Sequence, residues 1–274
     1  MSGTLEFTLL GCGSSGGVPR ADGDWGACDP TNPKNARSRC SLLVRRMGQG
    51  PEAETTAIVD TSPDLRLQTA QAGAKRLDGI LLTHDHADQV HGIDDVRAFF
   101  IRQRAKIACH MDPATEVSMM RRFGYIFEPE GGYPAICERR RIPAHGAPWS
   151  VDGPSGAIPI ATFDQDHGGV RSVGYRFADV AYSSDVVNLD EAAFEALAGL
   201  DVWIVDALRY RPHPTHAHLQ RALDWIARLK PRRAILTNLH IDLDYETLRR
   251  ELPAGVEPGF DGLRFQHQLS GGFS

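Results

Sequence analysis

The chain has 274 residues, a formal net charge of −5 and 42% hydrophobic residues. That length fits one large domain or two small ones, and it is ample for a hydrophobic core. The acidic balance argues against a general nucleic-acid or membrane-surface binder. No apolar run reaches 18 residues, and no basic segment precedes an apolar stretch near the first residue. We therefore expect a soluble, cytoplasmic protein that does not associate with membranes.

The five cysteines are scattered and form no C-x-x-C pair. A disulfide framework is therefore not expected, and reduced thiols are the default. Cys28 remains open as a ligand of a structural zinc ion, but a single cysteine without close partners is weak support for one.

Strand and helix patterns alternate along both halves of the chain. Apolar and β-branched runs predict strands at residues 5–10, 41–46, 56–60, 77–82, 106–109, 157–162, 173–177, 179–183, 201–205, 234–237 and 263–266. Helical periodicity or capping signals predict helices from Pro63 to Gly73 and at 93–104, 114–123, 191–197, 219–229 and 246–251. Residues 128–155 are rich in Pro and Gly and are predicted to form a long loop or hairpin extension.

The first predicted strand leads into Gly11-Cys12-Gly13-Ser14-Ser15-Gly16, which matches the dinucleotide-binding fingerprint letter for letter. That fingerprint requires a helix to begin at its third glycine, so that the first helical amides face a pyrophosphate. Here Gly17-Val18-Pro19 and a loop-like stretch follow instead. The segment is therefore predicted to be a glycine-rich turn beside an active site.

The densest group of ionisable residues follows the predicted strand at 77–82. His84, His86, Asp88 and His91 lie within eight residues of one another, in a chain with only 11 histidines. A role in metal binding or proton transfer is the preferred interpretation. The alternative is a polar loop that caps a buried strand.

Further candidate ligands stand where later strands end, namely His167, Asp185 and His240. Because strand ends at one edge of a sheet converge, residues far apart in sequence can share a site. Imidazole and carboxylate together suit Zn²⁺, Mn²⁺ or Fe²⁺ with a position open for water. His84 and His86 lie two apart on a tight turn, so both rings can bind one ion.

These motifs resemble the metallo-β-lactamase fold superfamily. The resemblance rests on the H-x-H-x-D pattern after an apolar strand and a threonine, a later histidine and aspartate, and the terminal L-T-x-x-H that ends at His240. It covers essentially the whole chain. Residues 11–19, 26–29, 91–95 and 235–245 are most similar to the branch that contains the phosphoribosyl cyclic phosphodiesterase of phosphonate breakdown, and next to ribonuclease Z.

The resemblance implies a single α/β domain over residues 1–274, built as a four-layer αββα sandwich with its metal site in the cleft between two sheets. Carried over residue by residue, it implies that His84, His86 and His167 bind a first ion, Zn²⁺ or Mn²⁺. Asp88 would bind a second ion, and Asp185 would bridge the two.

The chain departs from the family pattern at the second ion. Gln89 stands where the motif normally has a histidine, and Asn238 stands where the last histidine is usual, with His240 two residues later. An amide oxygen is a weaker zinc ligand than imidazole. Three interpretations stay open, namely an empty second site, a site that takes a harder ion, and a site that recruits His91 or His240. We rank an occupied but weaker site first.

Three histidines, His213, His216 and His218, precede the helix predicted at 219–229. In the phosphodiesterase branch a histidine just before this helix donates a proton to the leaving group, and His216 is the best positional match. His213 and His218 are predicted to contact substrate, with a surface loop as the equal alternative. Ser14, Ser15 and the neighbouring glycine amides are predicted to hold a phosphate oxygen.

The predicted reaction is hydrolysis of a small or cyclic phosphodiester, or a nucleotide-like substrate, by water that a metal activates and Asp88 orients. His216 would protonate the departing alkoxide. A ribonuclease Z-like nuclease is an alternative that the net acidity disfavours. A non-catalytic metal- or nucleotide-binding protein is another, supported only by the altered second site. A homodimer is left open.

Overall fold

The computed structural model describes residues 3–50 and 53–269, and two seven-stranded mixed sheets form its centre. The first sheet has the order β14-β1-β2-β3-β4-β5-β6 and the second the order β13-β12-β11-β10-β9-β8-β7. The strands of the first sheet are β1 (Gly3–Gly11), β2 (Ser41–Arg46), β3 (Thr55–Val59), β4 (Gly79–Leu81), β5 (Ile107–Met111), β6 (Cys137–Arg141) and β14 (Arg264–Leu269). Those of the second are β7 (Trp149–Val151), β8 (Ile158–Asp166), β9 (Arg171–Phe177), β10 (Val180–Ser183), β11 (Val202–Asp206), β12 (Arg233–Thr237) and β13 (Val256–Pro258).

Helices cover the outer face of each sheet. They are α1 (Leu65–Gln71), α2 (Ala87–Val90), α3 (Arg97–Gln103), α4 (Pro113–Phe127), α5 (Glu191–Ala196), α6 (Leu219–Leu229) and α7 (Tyr245–Glu251), with 3₁₀ turns at Pro33–Asn35 and Ile93–Val96. None of the helices in the described part of the chain is both long enough and apolar enough to cross a membrane.

Alternating side chains on each strand divide the core into three layers. In β11, Ile204 joins the cluster between the sheets, while Trp203 and Val205 pack outward against α5 and α6. In β3, Val59 faces inward and Ile58 packs outward under α1 and α3. Because both faces of these strands are covered, their sequences are almost continuously apolar. This arrangement confirms the predicted four-layer αββα metallo-β-lactamase-type sandwich.

Parallel pairing directs the ends of several strands toward one edge. β3, β4 and β5 are parallel to one another in the first sheet, and β10, β11 and β12 are parallel in the second. The polar residues that follow these strands therefore collect in the cleft between the sheets. The histidine turn after β4 faces residues that follow β8, β10, β11 and β12.

The structure differs from the sequence prediction at residues 128–155, which are more than a loop. This segment contains β6, which extends the first sheet parallel to β5, and β7, which pairs antiparallel with β8. Four of the five residues of β6 are exposed and charged. A charged edge strand of this kind lacks the apolar alternation that identifies a strand in sequence.

The glycine-rich turn after β1 is confirmed as a turn, because the next helical element is the short 3₁₀ turn at Pro33–Asn35. Its packing explains the first glycine, since a Cβ on Gly11 would lie 2.1 Å from the carbonyl oxygen of Arg39.

Gly92, directly after the histidine turn, gives a test of this close packing. A Cβ at this position would lie 1.9 Å from the carbonyl oxygen of Ser62. We expect Gly92→Ala to lower the free energy of unfolding by about 1–3 kcal/mol through overpacking. Gly124→Ala is the matched control, because a Cβ on Gly124 in α4 would meet no atom within 4 Å outside its own helix backbone and chain neighbours. This substitution should stabilise the protein by roughly 0.5–1 kcal/mol. Urea denaturation measures both, and a Gly92→Ala variant as stable as Gly124→Ala would contradict the packing described.

Candidate metal centre and active site

Three histidine rings meet in the cleft between the sheets. His84 and His86 follow β4, and His167 follows β8. The ring centroids lie 4.4 Å apart for His84 and His86, 5.0 Å for His84 and His167, and 5.1 Å for His86 and His167. One nitrogen from each ring lies within 4.8 Å of the other two. The sequence-predicted first-metal residues are thus brought together.

The hydrogen bonds of His84 show that this group fits a metal ion. Thr83 donates its hydroxyl to the buried carboxylate of Asp60 at 2.9 Å, and the Nδ1 of His84 lies 3.0 Å from the same hydroxyl oxygen. The hydroxyl oxygen therefore accepts from Nδ1–H, which leaves the lone pair on Nε2. That Nε2 is buried and has no hydrogen-bond partner among the described residues. Burial lowers the pKa of His84 to about 4, so the ring is neutral as a ligand must be.

His167 is oriented in the same way by backbone. Its Nδ1 donates to the carbonyl oxygen of Thr215 at 2.7 Å, and its Nε2 lies 3.3 Å from the Nδ1 of His86. Burial lowers the pKa of His167. Two imidazole nitrogens this close together are suited to bind one divalent ion.

Helix α4 holds the histidine turn from outside. Asp85, between the two histidines, accepts a hydrogen bond from the hydroxyl of Ser118 on its carboxylate, and Arg122 donates to its backbone carbonyl oxygen. These contacts fix the turn that presents His84 and His86 on one side.

Two carboxylates border the histidine group. Asp185, buried after β10, lies 3.8 Å from Nε2 of His167, and Asp88 stands in the first turn of α2. Burial alone would raise the pKa of Asp185, but His84, His216 and His167 outweigh it and hold the value at about 2. Burial and the neighbouring Asp185 raise the pKa of Asp88 to about 6.

His216 adds a fourth imidazole, paired with a carboxylate that the sequence analysis left without a role. Its Nδ1 donates to Oδ2 of Asp206 at 2.8 Å, and its Nε2 lies 3.9 Å from Asp185. Burial lowers the pKa of His216, but Asp206, with Asp185 and Asp88 behind it, raises the value to about 9. In the metal-free chain His216 therefore keeps both ring protons at neutral pH, and its Nε2 is directed toward Asp185. His167, Asp185 and His216 also form a second group of potential ligand atoms within 4.8 Å of one another.

Both carboxamides that replace family histidines lie at the centre. The amide nitrogen of Gln89 is 3.2 Å from Asp88 and 3.1 Å from Asp185. That of Asn238 is 3.2 Å from Nδ1 of His216 and 3.5 Å from Asp206. Each amide therefore contacts acidic or imidazole groups of the site.

The remaining predicted histidines lie outside this group. The ring of His240 contacts the guanidinium group of Arg20 through Nε2 and the carboxylate of Asp242 through Nδ1 at 3.2 Å. His91 is exposed, and its Nε2 pairs with Arg122 at 2.7 Å. His213 lies nearer to the histidine group than His91 and His240 do, since its ring centroid is 5.1 Å from that of His216. His218 is the N-cap of α6. The structure does not bring His91 or His240 to the metal group.

A cleft of about 680 Å³ adjoins Asp88. Ser15 and Gly16 of the glycine turn line it together with Arg20 and Arg39. Ser14 is buried, and its amide donates to the carbonyl of Leu239, so of the two predicted serines only Ser15 borders this cleft. Asp22 also lines the cleft, and Arg39 is ion-paired with Asp64 at 3.0 Å. The two guanidinium groups can still donate to an anionic substrate, and only the folded chain shows that they border the same space.

Comparison with known proteins agrees with this geometry. Residues 55–241 match the model of the beta-lactamase superfamily domain. A new diphosphatase from the PhnP family, known from a crystal structure, is 33% identical in sequence to this chain. The two structures superimpose with a TM-score of 0.86 over 98% of this chain and 99% of the diphosphatase. The zinc-bound PqqB of Methylobacterium extorquens is 17% identical with a TM-score of 0.71, covering 95% and 99%, and shows a shared fold.

A Porphyromonas gingivalis protein named octanoyltransferase is 31% identical over 267 residues. The match covers 94% of this chain and 51% of that relative, so the chain spans about half of the relative's length.

The hydrogen bond from His84 to Thr83 can be tested by metal affinity. Thr83→Val keeps the shape of the side chain but removes the acceptor for Nδ1–H, so we expect Zn²⁺ affinity to fall about 10–100-fold. Thr8→Val is the matched control, because the Thr8 hydroxyl is buried and has no partner among the described residues. Competition with a chromogenic chelator measures both variants. Equal affinity in Thr83→Val and Thr8→Val would refute the role of Thr83.

The pairing of His216 with Asp206 predicts a pH effect in metal-free protein. The folded-state pKa of His216 is about 9, above its ordinary value, so its contribution to stability is complete below about pH 6.5 and disappears as pH rises through 9. Asp206→Asn removes the main cause and should lower this pKa. Imidazole NMR titration measures it, with Asp242→Asn as a carboxylate control outside the site. An unchanged His216 pKa in Asp206→Asn would contradict this assignment.

Proposed function

The chain belongs to the β-lactamase superfamily as a hydrolase with the metallo-β-lactamase fold, and from this premise we propose that it is a metal-dependent phosphodiesterase acting on a small or cyclic phosphodiester. The observation that carries the proposal is the position of His216, which donates to Asp206 at 2.8 Å while its ring lies 4.8 Å from that of His167 and its Nε2 lies 3.9 Å from Asp185. A proton donor beside a metal-ligand group is suited to the departure of a poor leaving group.

His84, His86 and His167 would hold the ion, which we propose to be Zn²⁺ or Mn²⁺. A bound ion supplies Lewis acidity, which lowers the pKa of water and offsets charge on phosphoryl oxygens. The protein prepares this site by lowering the pKa of His84 and of His167 and by fixing these two rings through Thr83 and the carbonyl of Thr215. No rearrangement of these two rings is then needed when an ion binds.

Asp88 orients the attacking water. Its carboxylate borders the cleft, and Gln89 donates to Oδ2, which fixes the direction of the side chain. A carboxylate held in this way accepts a hydrogen bond from water and aligns an oxygen lone pair with phosphorus.

His216 supplies the proton to the departing alkoxide from Nε2. Asp206 accepts from Nδ1–H throughout, so it holds the ring in place and stabilises its positive charge before the transfer. Because its pKa is raised to about 9, His216 carries this proton at neutral pH. In the same position, the cation offsets negative charge that develops on the phosphoryl group.

Substrate class is inferred from the cleft and from one relative. Arg20, Arg39 and Ser15 border the space beside Asp88 and are proposed to contact phosphoryl oxygens. A relative that is 33% identical over nearly its whole length is described as a diphosphatase, which supports phosphorus as the atom attacked. The net charge of −5 favours a small substrate over RNA. A phosphoanhydride is the second candidate, because that relative is a diphosphatase.

Leaving-group dependence tests the role of His216. An alkoxide needs protonation as it departs, whereas p-nitrophenolate needs little. We expect His216→Asn to reduce kcat about 10²–10⁴-fold on a 2′,3′-cyclic nucleotide and much less on bis-p-nitrophenyl phosphate. His145→Asn is the control, since the ring of His145 pairs with Thr162 away from the centre.

Equal losses on the two substrates would rule out proton donation by His216. Absence of turnover on phosphodiesters, with hydrolysis of a dinucleoside diphosphate, would select the phosphoanhydride. No turnover of either class by metal-loaded protein would overturn the proposed function.

A further inference from the structure

We propose that this centre binds a single ion at His84, His86 and His167, and that the amide nitrogen of Gln89 takes the place of a second ion. The proposal rests on the proposed function only in assuming that the three histidines hold an ion. The residues near Asp88 do not fit the second ion that the family pattern implies, and the reason lies in how Gln89 and Asn238 are hydrogen-bonded.

The side chain of Gln89 lies between the two carboxylates that a second ion would join. Its amide nitrogen is 3.2 Å from Oδ2 of Asp88 and 3.1 Å from Oδ2 of Asp185, and the residue is fully buried. An amide NH₂ group has two donors, one for each carboxylate. These charge-assisted hydrogen bonds reduce the repulsion between two neighbouring negative groups, which is the electrostatic task of a bridging cation.

The orientation of this amide follows from charge. If nitrogen and oxygen were exchanged, the amide oxygen would face two carboxylate oxygens at about the same distances, which is repulsive without a cation between them. In the orientation described, Oε1 of Gln89 points away and is buried without a partner among the described residues. The two hydrogen bonds to carboxylates offset that cost.

Asn238 contacts the Asp206 carboxylate beside His216 and does not face Asp88 or Asp185 in the way Gln89 does. Its amide nitrogen donates to Oδ2 of Asp206 at 3.5 Å, and its 3.2 Å approach to Nδ1 of His216 is not a hydrogen bond because that nitrogen carries the proton given to Asp206. A histidine there would offer a ring nitrogen to an ion, whereas this amide adds a donor beside a carboxylate. Neither carboxamide therefore presents an oxygen to a common cation.

No other histidine in the described part of the chain replaces them. His91 pairs with Arg122, and His240 pairs with Arg20 and Asp242. His216 lies within 4.8 Å of His167 and Asp185, but that group shares His167 with the three-histidine group, and among the described residues Asp88 belongs to neither group. Asp88 and Asp185 alone would remain, and two carboxylates without imidazole are a poor zinc site.

Counting ions tests this assignment. Wild-type protein is equilibrated with excess Zn²⁺, passed through gel filtration and analysed by mass spectrometry for zinc per chain. We expect one ion in wild type, and two in Gln89→His/Asn238→His, which restores both imidazoles. Circular dichroism checks folding. The single variant Gln89→His, expected to bind a second ion more weakly, keeps the count interpretable if the double variant does not fold.

Asp88→Asn distinguishes the remaining outcomes. Two ions in wild type that fall to one in Asp88→Asn would overturn the proposal, because the second ion would then lie beside Gln89. Two ions that persist in Asp88→Asn would also overturn the proposal, because an ion held by His167, Asp185 and His216 does not need Asp88. One ion in every folded histidine variant would show that Gln89 does not occupy an ion position. Zero ions in wild type would also overturn the proposed function, whereas two would leave that function intact.

Discussion

Buried aspartates set the orientation of two of the histidines at this centre. Asp60 acts on His84 through the hydroxyl of Thr83, and Asp206 acts directly on His216. The two rings differ in pKa as a result. Burial dominates at His84, where a hydroxyl separates Asp60 from the ring, and it lowers the pKa of His84 to about 4. Asp206 contacts His216 directly and outweighs burial, so the pKa of His216 is raised to about 9.

The backbone turns these groups into the cleft. Asp60, Asp185 and Asn238 each follow a strand and each adopt a positive φ, at 61°, 57° and 63°. Residues other than glycine rarely adopt this conformation, and they do so where surrounding structure compensates the strain. Here the compensation includes the hydrogen bonds from Thr83 to Asp60 and from Gln89 to Asp185. Sheet topology brings the three residues to one place, because the parallel strands of the two sheets end at the same cleft.

Much of this could be predicted from the sequence. The apolar strand before Thr83 and the H-x-H spacing identify His84 and His86, and strand ends identify His167 and Asp185. The fold layers follow from strand and helix order and from the family resemblance. By contrast, β6 was missed, because an edge strand of charged residues has no apolar alternation. Asp60 and Asp206 were missed as site residues, since each looks like an ordinary strand-terminal aspartate until its partner is known.

The two substituted carboxamides show a different limit. Sequence comparison with the family pattern identifies Gln89 and Asn238 as departures, but it leaves their consequence open. Whether each carboxamide turns its oxygen or its nitrogen toward the site determines whether it can bind an ion. That orientation depends on which groups surround the amide in the folded chain. The shared position of Arg20 and Arg39 is likewise visible only in the folded chain, because the two residues lie 19 positions apart in sequence and border one cleft.

Anomalous diffraction at the zinc edge from crystals equilibrated with Zn²⁺ would locate every bound ion at this centre. We expect one strong peak in the cleft, about 2.0–2.1 Å from a nitrogen of each of His84, His86 and His167, with Gln89 still between Asp88 and Asp185. A strongest peak between Asp88 and Asp185, or a histidine group that binds no zinc, would contradict it.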